Sequence, residues 1–270
     1  MLGKLLKYEF KSTARIFLPI YIAILILSVL TSIKNITSNS EDILSVMFPS
    51  ILALTFAGLI IMTLIMVVKR FDTNLLSDEG YLMFTLPVSI KDLINSKLLL
   101  SVFWVISSFI IFISSMIIIF FRELEFNRMF EEISRLYANI PDAGILIVLA
   151  IIILFLTYVN MLLKIYTSLS IAQAFSITGN RILGGVLVFI GIEISLNVFQ
   201  TLAVYIMSKS EMIEEFLNRI SEIMSSPNWS HLYPHYPLIL MSIITVVILI
   251  ANIIFYYATH YFLKNKLNLE

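Results

Sequence analysis

One carboxylate stands apart. Glu193 lies near the middle of an otherwise apolar run at 182–207. A charge at that depth in a bilayer costs roughly 2.5–3.5 kcal/mol on insertion scales, so it must be neutral, paired or wet. Asn197 and Gln200 follow it at i+4 and i+7, on the same face of a helix. Other runs carry similar polar stripes: Thr157, Asn160 and Lys164, then Asn252, Tyr256 and His260. Such a constellation has two readings. One is a substrate or proton path through the membrane. The other is interhelical hydrogen bonding that fixes a bundle. Ser101, Ser108 and Ser115 repeat every seven residues, joined by Ser107 and Ser114, and read as close helix packing.

The elements that would position these groups are helices in lipid. The chain is 59% hydrophobic and 13% charged, against roughly 25% charged in an average soluble domain. Six apolar runs occupy 16–33, 46–68, 98–121, 144–163, 182–207 and 238–263. Each has about the length needed to cross a hydrocarbon core of roughly 30 Å. The fold class predicted is an all-α integral membrane protein with six transmembrane helices in one domain spanning 1–270. The first run follows a charged segment and lacks a small-x-small cleavage site, so it reads as an uncleaved anchor.

With the N-terminus inside, the inner segments hold twelve lysines and arginines and the outer loops hold six. The positive-inside rule therefore places both termini in the cytoplasm. Lys4, Lys7, Lys11 and Arg15 form a basic stripe on 2–15, with Leu2, Leu5, Leu6 and Phe10 on the other side. That pattern predicts an N-terminal amphipathic interfacial helix that binds membrane lipid. Glu9 projects on the apolar side and needs a partner or water, which suggests that this face packs against protein. Two outer loops, from Phe126 to Ile140 and from Met212 to Met224, repeat apolar residues at helical spacing. They predict amphipathic extracellular helices that either rest on lipid or cap an exit.

The longest inner loop, 69–97, contains Asp78, Glu79 and Gly80 in a turn, then an apolar cluster of Tyr81, Leu82, Met83, Phe84 and Leu86 that stops at Pro87. This cluster is either a docking knob for a soluble partner or an interfacial segment on lipid. Ser89 and Asp92 suggest a cap opening the third helix.

Several chemistries lack their signatures. The sequence contains no G-x-x-x-x-G-K-[ST], H-E-x-x-H or G-x-S-x-G. His231 and His235 have Pro234 between them, which argues against a shared helical face and so against a metal site. The absence of cysteine excludes disulfides, and zero net charge argues against nucleic acid. The expectation is therefore a non-enzyme with no metal and no cofactor of its own.

The order of elements, with LLKYEFKSTAR at 5–15 and SDEGYLMFTLPVSIKDLINSKLL at 77–99, resembles the permease subunits of type-2 ABC exporters of the small Gram-positive kind. The resemblance implies a connecting helix at 2–15 and a coupling loop in which Asp78, Glu79, Gly80, Tyr81, Leu82, Met83, Phe84 and Pro87 seat in a separate P-loop ATPase. ATP and Mg would belong to that partner. A second copy of the permease, or a related one, would complete the pathway in the cytoplasmic membrane. The expected cargo is a hydrophobic or amphipathic peptide, antibiotic or lipid-like molecule. Glu193, Asn197, Gln200, Asn160 and Asn252 are the candidate pathway or bundle-interior residues. The alternatives are an ion-coupled secondary transporter using Glu193, and a membrane scaffold or sensor that transports nothing.

Overall fold

A computed structural model describes residues 2–37, 43–77, 80, 88–121, 126–139, 142–177, 179–209, 215, 218, 221 and 235–266. The protein is an all-α multi-pass membrane protein. Among the described residues, six helices are long and apolar enough to cross a bilayer. They are α1 (Leu2–Thr37), α2 (Ile43–Phe71), α3 (Ile90–Phe120), α5 (Ala143–Ala174), α6 (Arg181–Ser208) and α7 (Tyr236–Asn265). The short α4 (Phe126–Asn139) stands between the third and fourth. Of the second outer loop, only residues 215, 218 and 221 are described.

The helices are longer than their apolar runs. The first differs most, because the expected interfacial helix at 2–15 is not a separate element but the first turns of α1. No glycine or proline interrupts the chain from Lys4 to Leu18, so nothing stops the helix where the apolar run begins. Its 36 residues rise about 1.5 Å each, which makes about 54 Å, well beyond a hydrocarbon core of roughly 30 Å. The basic stripe Lys4, Lys7, Lys11 and Arg15 is exposed on this overhang.

The chain forms two compact units, Met1–Met129 with Leu269–Glu270, and Phe130–Asn268. In the first, α1 packs against both α2 and α3. Phe17, Tyr21 and Ile24 meet Leu52 and Leu59 of α2 and Leu100 and Trp104 of α3 in one buried cluster. The Trp104 ring stacks on Phe17 at 4.5 Å and on Phe10 at 5.3 Å. Hydroxyls join the helices where apolar packing alone would leave them free to slide. Trp104 Nε1 donates to Thr13 Oγ1 at 2.9 Å. The Tyr21 hydroxyl meets Ser108 Oγ at 2.8 Å, and Ser28 Oγ meets Ser115 Oγ at 2.6 Å. The last two pairs keep a constant offset of 87 residues, so α1 and α3 run parallel, as helices two crossings apart must. The heptad serines are thus packing residues, although only Ser108 and Ser115 bond across this seam among the contacts described. Ser107 and Ser114 donate to carbonyls of their own helix.

In the second unit, α5 is the central helix, against which α6 and α7 both pack. Thr167 Oγ1 meets Thr259 Oγ1 at 2.8 Å, and Asn252 Nδ2 donates to the Leu156 carbonyl at 3.0 Å. Positions rise together in these two contacts, so α5 and α7 are parallel. Gly185 lets α6 approach α5 closely, since a Cβ there would lie 2.4 Å from Leu169 Cδ2.

Candidate functional site

Two regions hold the residues that the sequence singles out. The first is the corner after α2. Instead of ending at Phe71, the helix widens into a π-turn over Asp72–Leu76. Wide turns of this kind often mark functional positions. Phe71 just before it and Leu75 and Leu76 within it are fully buried, and Asp72 and Asn74 are buried with them. Gly80 closes the corner: its N–H donates to the Ser77 carbonyl at 2.7 Å. A Cβ on Gly80 would lie 2.6 Å from the Leu75 carbonyl oxygen, so this approach requires glycine. Asp78, Glu79, Tyr81, Leu82, Met83, Phe84 and Pro87 lie outside the described residues. On the far side of the loop, Ser89 caps α3 by accepting the Asp92 N–H at 3.1 Å.

Between α1 and α3 lies a buried ion pair that sequence reasoning half reached. Glu9 on α1 accepts from Lys97 on α3, and their side chains are only 6% and 2% exposed. The misplaced carboxylate does pack against protein. Its partner was missed because Lys97 stands 88 residues away and reads as the end of a loop.

The second region is a polar seam within the second unit, among α5, α6 and α7. Lys164 Nζ on α5 donates to Glu193 Oε1 on α6 at 2.7 Å. Lys164 reads in the sequence as the first residue past a span that stops at 163. In the structure α5 continues to Ala174, ten residues past the lysine. Glu193 is therefore paired with a charge on the neighbouring helix. Asn197 Nδ2 turns back to the Glu193 carbonyl at 2.8 Å. Asn197 and Gln200 are both exposed on the surface of α6.

Asn160 lies one turn before Lys164, and Asn252 reaches α5 at Leu156. Asn160 Nδ2 and Asn252 Oδ1 are buried without a hydrogen-bond partner among the described residues. Buried amides in this state are where a water or a polar ligand group gains most. The structure thus places Lys164 on Glu193 and Asn252 on α5, while Asn197 and Gln200 remain open.

A third feature escaped sequence reasoning. A cavity of about 660 Å³ opens between α1, α2 and α3, lined by Thr31, Pro49, Leu52, Ala53, Phe56, Ala57, Ile60, Phe112, Met116, Ile119 and Phe120. Its volume is that of a small-molecule pocket, within roughly 300–1,000 Å³. The Thr31 hydroxyl, the one polar side-chain group in the lining, already donates to the Leu27 carbonyl, so the wall suits hydrocarbon. No sequence pattern marks it, because its lining comes from three helices.

No metal-ligating group of three acidic or histidine residues occurs among the described residues. His235 instead pairs through Nδ1 with Asp142 Oδ2 at 3.0 Å. No protein-family model, no curated protein and no solved structure matches the chain.

Proposed function

We propose that this chain is the permease subunit of an ATP-driven exporter, working with a separate P-loop ATPase and a second permease copy or a related permease in the cytoplasmic membrane. Both termini face the cytoplasm, where lysine and arginine are concentrated. The observation that carries the reading is the corner at residues 71–80. A docking loop transmits force only from a stiff base. Here the loop that bears Tyr81, Leu82, Met83 and Phe84 leaves from a π-turn that buries its own Leu75 and Leu76 and the preceding Phe71 and is closed by Gly80. ATP-driven closure of the partner would move this corner, and α2 with it, and switch the pathway between inward and outward access. ATP and Mg belong to the ATPase. The cargo is hydrophobic or amphipathic, in keeping with the apolar spans and the hydrocarbon-lined cavity.

A photo-crosslinker at position 82 tests the reading by capturing an ATPase in native membranes. Tyr81→Ala or Phe84→Ala should weaken that association about thirtyfold, since losing an aromatic anchor often costs about 2 kcal/mol. Absence of any captured ATPase overturns the proposal.

One observation favours a second reading, an ion-coupled carrier. Lys164 gives Glu193 an intramembrane partner, as coupling sites commonly have. Transport that persists in vesicles without ATP, and collapses with the ion gradient, would select it.

A further inference from the structure

The Lys164–Glu193 pair lies far from either end of its helices. Glu193 is residue 13 of the 28 in α6, and Lys164 is residue 22 of the 32 in α5. At about 1.5 Å per residue the carboxylate is roughly 18 Å from the nearer end of its helix, too far to reach a headgroup region by snorkelling. Yet its side chain is 35% exposed, and Lys164 is 18% exposed. Asn197 and Gln200 continue the same open stripe. Hydrocarbon cannot satisfy these groups, so this face meets polar matter.

The chemistry of the stripe narrows what that matter is. Lys164 occupies Glu193 Oε1, and Asn197 Nδ2 is spent on the Glu193 carbonyl. The Gln200 amide at the far end of the stripe offers a donor as well as an acceptor, but the two groups beside the pair, Glu193 Oε2 and Asn197 Oδ1, are both acceptors without a hydrogen-bond partner among the described residues. Their natural complement is a donor. The carboxylate charge is already balanced at 2.7 Å. A cation added here leaves net positive charge in a low-dielectric site, and an anion leaves net negative charge. Ile194 and Val198, exposed on the same helix, flank the acceptors with apolar surface.

We infer that this stripe is a recognition site for an uncharged N–H or O–H donor carried on an apolar chain, and that the Lys164–Glu193 pair excludes ligands of net charge. The inference names the cargo class for the transport reading above and rests on that reading for the cargo's movement, but not for its binding.

The test titrates four probes with the same chain into lipid nanodiscs holding the full protein, corrected with empty nanodiscs. The probes are dodecanamide, its N,N-dimethyl derivative, dodecylammonium and dodecanesulfonate. The wild type should bind dodecanamide at least about tenfold more tightly than each of the others, a full decade in dissociation constant. In Lys164→Gln the carboxylate is unbalanced, and dodecylammonium should become the best ligand. In Glu193→Gln the ammonium is unbalanced, and dodecanesulfonate should take that place. The doubly swapped Lys164→Glu/Glu193→Lys protein should again bind both charged probes weakly.

A charged probe that binds the wild type as tightly as dodecanamide overturns the inference. Equal binding of the N,N-dimethyl derivative overturns the donor requirement. An unchanged order in both single variants removes the pair from selectivity. If a single variant fails to fold, the wild-type order still decides. No ATPase takes part, so failure here leaves the exporter reading untouched, and failure to capture an ATPase leaves this site untouched.

Discussion

Replacing Lys97 by methionine isolates the energetics of the buried pair that joins α1 to α3. Methionine keeps the apolar stem and removes the ammonium. Glu9 Oε1 then loses the Lys97 ammonium as its donor, and Oε2 has no hydrogen-bond partner among the described residues to begin with. Both side chains are more than nine-tenths buried, so water cannot replace the lysine without opening the seam. Breaking one side of a buried ion pair costs about 3–5 kcal/mol. That corresponds to roughly a hundredfold to a few thousandfold in the folding equilibrium. The double variant Glu9→Leu/Lys97→Met removes both charges and should lie within about 1 kcal/mol of the wild type or above it, since apolar replacements of buried pairs are often neutral or stabilising. The assay is unfolding in mixed micelles with rising dodecyl sulfate, followed by fluorescence. A Trp229→Phe background leaves Trp104, which stacks on Phe10 and Phe17 in this seam, as the single reporter. Two results would refute the reasoning: a Lys97→Met protein as stable as the wild type, or a double variant less stable than Lys97→Met.

Gly80→Ala should strain the corner, because the added methyl meets the Leu75 carbonyl at 2.6 Å; a loss of about 1–3 kcal/mol is expected, together with faster proteolysis between residues 72 and 90. A double-mutant cycle of Ser28→Ala and Ser115→Ala should return a coupling near 0.6 kcal/mol, the typical size of an interhelical hydrogen bond in lipid; zero coupling would mean that the 2.6 Å contact does not form. Gly185→Leu should separate α5 from α6 and lower the yield of folded protein in detergent, while Gly191→Leu, with open space around it, should not. Single cysteines at Asn39, Asn218 and Ser226 should react with an impermeant thiol reagent in whole cells and those at Thr73 and Asn268 should not; labelling at 268 without permeabilisation would rule out an even number of crossings.

The six crossings were legible in the sequence because insertion depends on the summed apolarity of a local run, and a run of that length has few other places to go. The cap at Ser89 was legible for the same reason: its donor is three residues away. The serine heptad announced a seam, since spacing alone puts Ser108 and Ser115 on one face, but it did not name Tyr21 and Ser28 as partners. The helices run on past charged residues at which the apolar runs stop. The run at 144–163 stops at Lys164, yet a lysine can stay inside a span when a carboxylate on the next helix neutralises it. Only the register of α5 against α6 decides that Lys164 faces Glu193, and only that of α1 against α3 decides that Lys97 faces Glu9. Composition fixes that helices cross the membrane, because lipid reads each run by itself. Pairing of charges is settled between helices, by side-chain packing that no single run contains.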